Sequence, residues 1–385
     1  MTFIIRCLFI CFLLMTQTLV ARADNLSPDE TAAVVNAVIK PILQRNKVPG
    51  ATVVIYNQGV PQAFYFGTAT HHEFNHVNAA TAFEIGSITK VFTSILLAYA
   101  VNQRLVYLQD PVAFYLKQSP VGNRAFNRIT VESLATHVAG LGQIPSSTVK
   151  NRDQLFQSLK TWHPAYQVNT YWRYSNIGFG LLGYLLEDVY HQSYIKMIDR
   201  DIVRPLRMQD TNLVGAFCFN CAQGYSWNGE PVNTTKTLLV IPAAGSIRSS
   251  GRDMLKFLGA VLDMPGTPPQ LSAAIHLTEM PYFETQYGAQ GLGWEIHDFD
   301  RLKASGYIQA RYNTLTLHAG PVHQVTPARL KGVVLYDKTG SVAGFRAYIV
   351  AVPARKTGVV ILINAAMPRT QVVLAARQLL YKMLH

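Results

Sequence analysis

A chain of 385 residues, 49% hydrophobic and 15% charged, has the balance of a globular protein with a sizeable core, which excludes a disordered chain. The formal charge of +12 invites an anionic partner. Its Lys and Arg are scattered, however, with no basic run interleaved with aromatics, so no nucleic-acid partner is expected.

The first residues read as a secretory leader. Arg6 supplies the charge, Cys7 to Val20 the apolar stretch, and Ala21-Arg22-Ala23 a small-x-small cleavage site. Residues 1–23 are therefore expected to be a signal peptide, giving a periplasmic mature chain that starts at Asp24. The apolar stretch falls short of the roughly 20 residues a spanning helix needs, so no membrane anchor is expected after cleavage. Cys11 follows Leu8-Phe9-Ile10 rather than small residues, which argues against a lipoprotein. Cleavage leaves two cysteines, Cys218 and Cys221. A redox pair and half a zinc site are the alternatives, but no second pair completes four ligands, and a local disulfide suits an oxidising compartment.

In chain order, a helix is expected from Pro28 to Gln44, followed by β-rich runs at Ala51–Tyr56 and Ala63–Phe66 joined as a hairpin by Asn57-Gln58-Gly59. Helical patterns follow at Ser87–Gln103, Val131–His137 and Ile177–Tyr190. The far end is again strand-like at Phe345–Val352 and Val359–Asn364, before a helix over Arg369–Leu384 with Pro368 at its start. This is an α/β (α+β) pattern: an antiparallel sheet built from both termini and flanked by helices, with a mainly helical insertion. The expected division is 24–85 plus 240–385 for the sheet domain and 86–239 for the helical one, with an active site in the crevice between them.

Three short motifs carry candidate chemistry. Ser87-Ile88-Thr89-Lys90 opens an apolar helix, and residues three apart share a face, so the Lys90 amine can reach the Ser87 hydroxyl at a helix N-terminus that favours a developing anion. The same spacing recurs at Ser147/Lys150, in a loop-like stretch, and at Ser193/Lys196, after a helix. Neither has the apolar helix that follows Ser87. Tyr174-Ser175-Asn176 is the second motif. A tyrosine, ordinarily titrating near 10, becomes a base only beside cations; otherwise it is a core residue. Lys338-Thr339-Gly340 is the third. Its double, Lys356-Thr357-Gly358, reads as a polar turn, whereas Lys338 is expected on an edge strand facing the nucleophile, with glycine allowing close approach. His71-His72-Glu73-Phe74-Asn75-His76 resembles a metal cluster in composition but reads better as a solvated loop.

The order Ser-x-x-Lys, Tyr-x-Asn, Lys-Thr-Gly resembles the class C β-lactamases of the serine β-lactamase and penicillin-binding superfamily. Val48-Pro49-Gly50, Phe83-Glu84-Ile85-Gly86, Leu134-Ala135-Thr136-His137 and Gln290-Gly291-Leu292-Gly293-Trp294-Glu295 add to the likeness. The resemblance implies a β-lactamase/transpeptidase-like fold and a β-lactam substrate, with no cofactor or metal, and a monomer is expected. It implies that Ser87 is acylated, that Tyr174 and Lys90 move protons, and that Lys338 holds the substrate carboxylate. Asn176 would bind the substrate amide, and backbone N–H groups of Ser87 and Ser341 would form the oxyanion hole. Thr339, Gly340, Gln143 and Asn364 are further candidates for binding. Ala243-Ala244-Gly245 departs from the family, which places a tyrosine there. Three rivals share the resemblance or its fold: a D-alanyl-D-alanine carboxypeptidase, an esterase and a penicillin-binding sensor.

Overall fold

The computed structural model describes residues 26–71, 75–117, 123–233, 236–286, 288–300, 319–328, 330 and 332–385. The expected leader 1–23 and His72, Glu73 and Phe74 lie outside them.

Helix α1 (Pro28–Arg45) starts where Ser27 and Glu30 form a reciprocal capping box, and Pro28 occupies the first turn where no N–H is needed. Strands β1 (Gly50–Asn57) and β2 (Val60–Gly67) form the expected hairpin. Gln58 and Gly59 both take positive φ, 47° and 91°, which is the primed-turn geometry that follows strand twist.

The centre of the chain supplies α2 (Thr89–Asn102), α3 (Val131–Ala135), α4 (Asn176–Tyr190), α5 (Gly251–Val261) and α6 (Pro269–Thr278). Short strands β3 (Phe283–Thr285), β4 (Gly288–Gln290), β5 (Glu295–Asp298) and β6 (His323–Gln324) precede the long strands β7 (Val334–Val342), β8 (Phe345–Val352) and β9 (Thr357–Ile363). Helix α7 (Arg369–Leu384) ends the chain.

Nine strands form one sheet in the order β6-β3-β4-β5-β7-β8-β9-β1-β2, with every neighbouring pair antiparallel. Pairing of Ala51 with Ile363 closes the two ends of the chain on each other. Helices α1 and α7 cover one face of the sheet and α5 packs on the other. Burial on both faces explains why β1 and β9 read as continuous apolar runs rather than alternating ones.

One expectation is corrected. Lys338 lies on β7, an interior strand, because β5 and the short strands beyond it extend the sheet past it. Helix α6 lies along α2, and one apolar core includes residues from both sides of residue 240. Helix α2 is buried on nearly every side, which matches its lack of a polar face.

Candidate active site

The nucleophile turn is shaped by close approach. Gly86 has φ +52°, and a Cβ there would lie 2.7 Å from the backbone nitrogen of Ser341; a Cβ on Gly340 would lie 1.9 Å from the carbonyl oxygen of Ile85. Only glycines let β7 press against the turn Gly86–Ile88, which carries Ser87 into α2. The same contact brings the backbone of Ser341 beside that of Ser87.

Around the Ser87 hydroxyl the three motifs converge. Tyr174 Oη lies 2.6 Å from Ser87 Oγ, and Lys90 Nζ donates to Ser87 Oγ at 3.1 Å. Lys90 is fully buried and also donates to Asn176 Oδ1 at 2.6 Å and to the Ala244 carbonyl at 2.5 Å. Tyr174 and Asn176 flank Ser175, which caps α4 by accepting from Gly178 N. The cap fixes both of its neighbours at the mouth of the helix.

Electrostatics divide the two lysines. Burial lowers the Lys90 pKa to about 8, offset in part by Tyr174 and reinforced by Lys338. Lys338 is just as buried, but against that loss of solvent Glu295, with its Oε1 at 3.2 Å, acts together with Tyr174 and Asp337 to raise its pKa. For Tyr174, burial opposes ionisation, yet the ammonium groups of Lys90 and Lys338 more than compensate, so its pKa is lowered. Both Nζ atoms sit close to its ring, at 4.9 and 5.2 Å from the centroid. His137 supports this arrangement. Its ring packs on Tyr174 at 4.5 Å, its Nδ1 accepts from Ser175 N, and burial holds its pKa well below the usual range, so it is neutral.

Ser87 opens into a cavity of about 150 Å³ lined by Gln143, Tyr174, Asn176, Thr339, Ser341 and Arg369. Gln143 is thus brought to the site despite its unusual spacing. Asn364 is not: its Oδ1 accepts from Gly50 N at 2.8 Å and its Nδ2 donates to the carbonyls of Thr68 and Ala69. It is a buried clip between strand ends, and the expectation that it forms part of the carboxylate pocket is corrected. Lys338 does not line the cavity either, because its ammonium is turned to Glu295.

Three contributors were not identified from sequence as functional residues. The Ala244 carbonyl is supplied by backbone, which side-chain motifs do not report. Glu295 was noticed only within a family-like stretch. Arg369 was read as the start of α7; among the described residues it has no ion-pair partner and is the one cation lining the cavity.

Behind β7, Glu295, His297 and Asp337 place one ligand-type atom each within 4.8 Å of one another. Lys338 already compensates Glu295, while Arg377 and Tyr348 each reach Asp337 Oδ2 at 2.6 Å, so the carboxylates have protein partners without a metal. The remaining doubles of the motifs are structural. Lys150 bonds the Ser147 carbonyl in an exposed loop, Ser193 precedes a short helix, and Lys356 is tied to the carbonyls of Leu262 and Asp263. His71 packs against Tyr225 with the two rings tilted at 55°. Cys218 and Cys221 form a disulfide.

A serine held between a lysine and a cation-flanked tyrosine, beside an antiparallel sheet, defines the acyl-transfer site of a serine hydrolase. The Beta-lactamase family profile matches residues 35–382, and the chain belongs to that family. It is 32% identical to a beta-lactamase of Lysobacter lactamgenus, with 94% of each chain covered. It is 31% identical to one of Yersinia enterocolitica, with 91% of each covered. Among solved structures it is similar to a class C beta-lactamase in complex with cefoxitin, with TM-score 0.83, 28% identity, and 92% and 99% of the two chains covered. It is also similar to the D-alanine carboxypeptidase AmpC of Burkholderia cenocepacia, with TM-score 0.82, 29% identity, and 92% and 100% covered.

Proposed function

We propose that this protein hydrolyses β-lactams through an acyl-enzyme on Ser87. The observation that carries the reading is the Ser87 hydroxyl lying between Tyr174, at 2.6 Å, and Lys90, at 3.1 Å, with Lys338 Nζ 5.2 Å from the centroid of the phenol ring. Tyr174, its phenolate favoured by two ammonium groups, takes the proton of Ser87 as Oγ attacks the lactam carbonyl. The proton then passes to the departing nitrogen, and the lactam C–N bond opens as the ester forms. Backbone N–H groups of Ser87 and Ser341 receive the oxyanion, a contribution of about 3 kcal/mol per donor. Water attacks the ester with Tyr174 again as base, releasing the opened product and restoring Ser87.

In this reading Asn176 Oδ1 accepts from Lys90 and its Nδ2–H is offered to the acyl amide of the substrate. The Lys338 ammonium acts mainly on Tyr174, and Arg369, with the Thr339 and Ser341 hydroxyls, meets the substrate carboxylate. No helix among the described residues is long and apolar enough to cross a membrane, and we place the mature chain in the periplasm as a monomer. The likeness to a D-alanine carboxypeptidase gives a second reading, since the same acylation operates on a D-alanyl peptide.

The test is turnover of a chromogenic cephalosporin by the mature chain and by Ser87→Ala, with intact-mass detection of the adduct. We expect rapid turnover that falls on the order of 10⁵-fold in the variant. A stable cephalosporin-derived acyl adduct without turnover would instead assign the carboxypeptidase or a sensor, and neither adduct nor turnover would reject the acyl-enzyme reading.

A further inference from the structure

Two clefts outside the reactive cavity adjoin, sharing Gln209, Thr211 and Asn212 in their walls. The larger, about 640 Å³, is lined by amides from Asn78, Asn212 and Asn220, by Arg248 and by Asp210, whose carboxylate is paired with Arg252, and it has two phenyl rings on its rim. Those rings, Phe217 and Phe219, are 88% and 95% exposed, the two most exposed large apolar side chains among the described residues. Two bare rings two residues apart at the edge of a cleft mark a contact site. Their loop is rigid: the Cys218–Cys221 disulfide closes it, and Asn220 O and Ala222 N bond the backbone of Ala82 at 2.8 and 2.9 Å. A rim held in this way loses little entropy when a ligand docks.

The second cleft, about 570 Å³, is basic. Lys196, Arg204 and Arg207 line it; Asp199 pairs with Arg204, while Lys196 and Arg207 have no carboxylate partner among the described residues.

We propose that these joined clefts bind an anionic, N-acetylated amino-sugar strand. Sugar faces would stack on Phe217 and Phe219, amides would meet hydroxyl and acetamido groups, and Lys196 and Arg207 would meet the carboxylates. A single-stranded nucleic acid also stacks and carries negative charge, but it needs a positively charged groove that tracks its backbone past the stacked bases. Beside the rings the one lining cation among the described residues, Arg248, is held to Cys221 Sγ at 2.8 Å, while Lys196 and Arg207 lie in the other cleft. A protein partner would need a broader apolar face than two rings provide. The proposal is independent of the chemistry at Ser87.

Chemical-shift titration with the N-acetylglucosaminyl–N-acetylmuramic acid disaccharide, which carries one carboxylate, should perturb the resonances of Phe217, Phe219 and Asn212. Neutral chitobiose should bind more weakly. The double variant Phe217→Ser/Phe219→Ser should weaken binding at least tenfold. Lys196→Gln/Arg207→Gln should remove the preference for the acidic sugar. Cephalosporin turnover, unchanged in both variants, reports that they are folded and tests the reactive site separately. Absence of binding at millimolar sugar, shifts mapping elsewhere, affinity unaffected in both variants, or tighter binding of an oligothymidylate to the same residues would each overturn the proposal.

Discussion

Residues 337 and 338 are neighbours on one strand, yet they belong to two opposite kinds of ionic cluster. Asp337 sits in a closed arrangement: Arg377 from α7 and Tyr348 from β8 both reach its carboxylate, and His297 lies 3.7 Å away. Opposite charges meet there, and each lowers the energy of the other, holding the Asp337 pKa far below the usual carboxylate range against the cost of burial. Lys338 belongs to an open arrangement. Two buried ammonium groups face one phenol, and among the described residues only one of them, Lys338, has a carboxylate partner. The first cluster stabilises the fold. The second leaves Lys90 in a disfavoured charge state, which is the condition under which a tyrosine becomes a base.

The sharpest way to break the comparison is to remove a cation from each side. Lys90→Met should lower kcat/KM by about 10³-fold, the scale of lost proton transfer, with Tm at pH 7 unchanged or raised. The sign follows from its depressed pKa of about 8 against an ordinary 10.5. The unfolded chain binds the proton more tightly, so charged Lys90 costs stability below about pH 8, and the cost is relieved as pH rises towards 10.5. A variant that loses activity and several degrees of Tm together would place Lys90 with the structural cluster. Arg377→Met should do the reverse, costing about 3–5 kcal/mol by stranding a buried carboxylate, with kcat/KM changed less than activity in Lys90→Met. Chemical denaturation read beside turnover separates the two. The stability that Asp337 contributes should persist down to its ordinary carboxylate range and fade as pH falls further, because its folded pKa is the lower one.

A pH profile sharpens the same contrast without mutation. If the Lys90 ammonium supports the Tyr174 phenolate, kcat/KM should decline with an alkaline limb near pH 8, belonging to the coupled pair rather than to either residue. A rate that climbs through pH 8 would make neutral Lys90 the base.

The open cluster was legible in the sequence because its parts are local motifs. Ser87 and Lys90 share one helix face, and Tyr174 and Asn176 flank one helix cap. The hairpin at Gln58-Gly59 and α7 were legible for the same reason. The closed cluster was not, because Asp337, Tyr348 and Arg377 each look like ordinary strand or helix residues until sheet register and α7 packing bring them together. Asn364 misled for a related reason. An asparagine at a strand end can serve a ligand or bind backbone, and only the placement of Gly50 and Thr68 decides between them.

The smallest effect tests the division of labour around the substrate. Lys338 is turned inward to Glu295, and Arg369 is the one cation lining the cavity among the described residues. Arg369→Ala should therefore raise KM about tenfold for a β-lactam bearing a free carboxylate, the order expected for losing one exposed charged contact of about 1.4 kcal/mol. The kcat should change little, and the KM for the corresponding methyl ester should not move. Glu295→Gln should behave differently: with its counter-charge gone, Lys338 holds its proton less firmly, and the effect should fall on kcat and on the alkaline limb rather than on KM. If Arg369→Ala changes kcat while Glu295→Gln changes KM, the carboxylate is held by Lys338 after all, and that lysine must leave Glu295 when substrate binds.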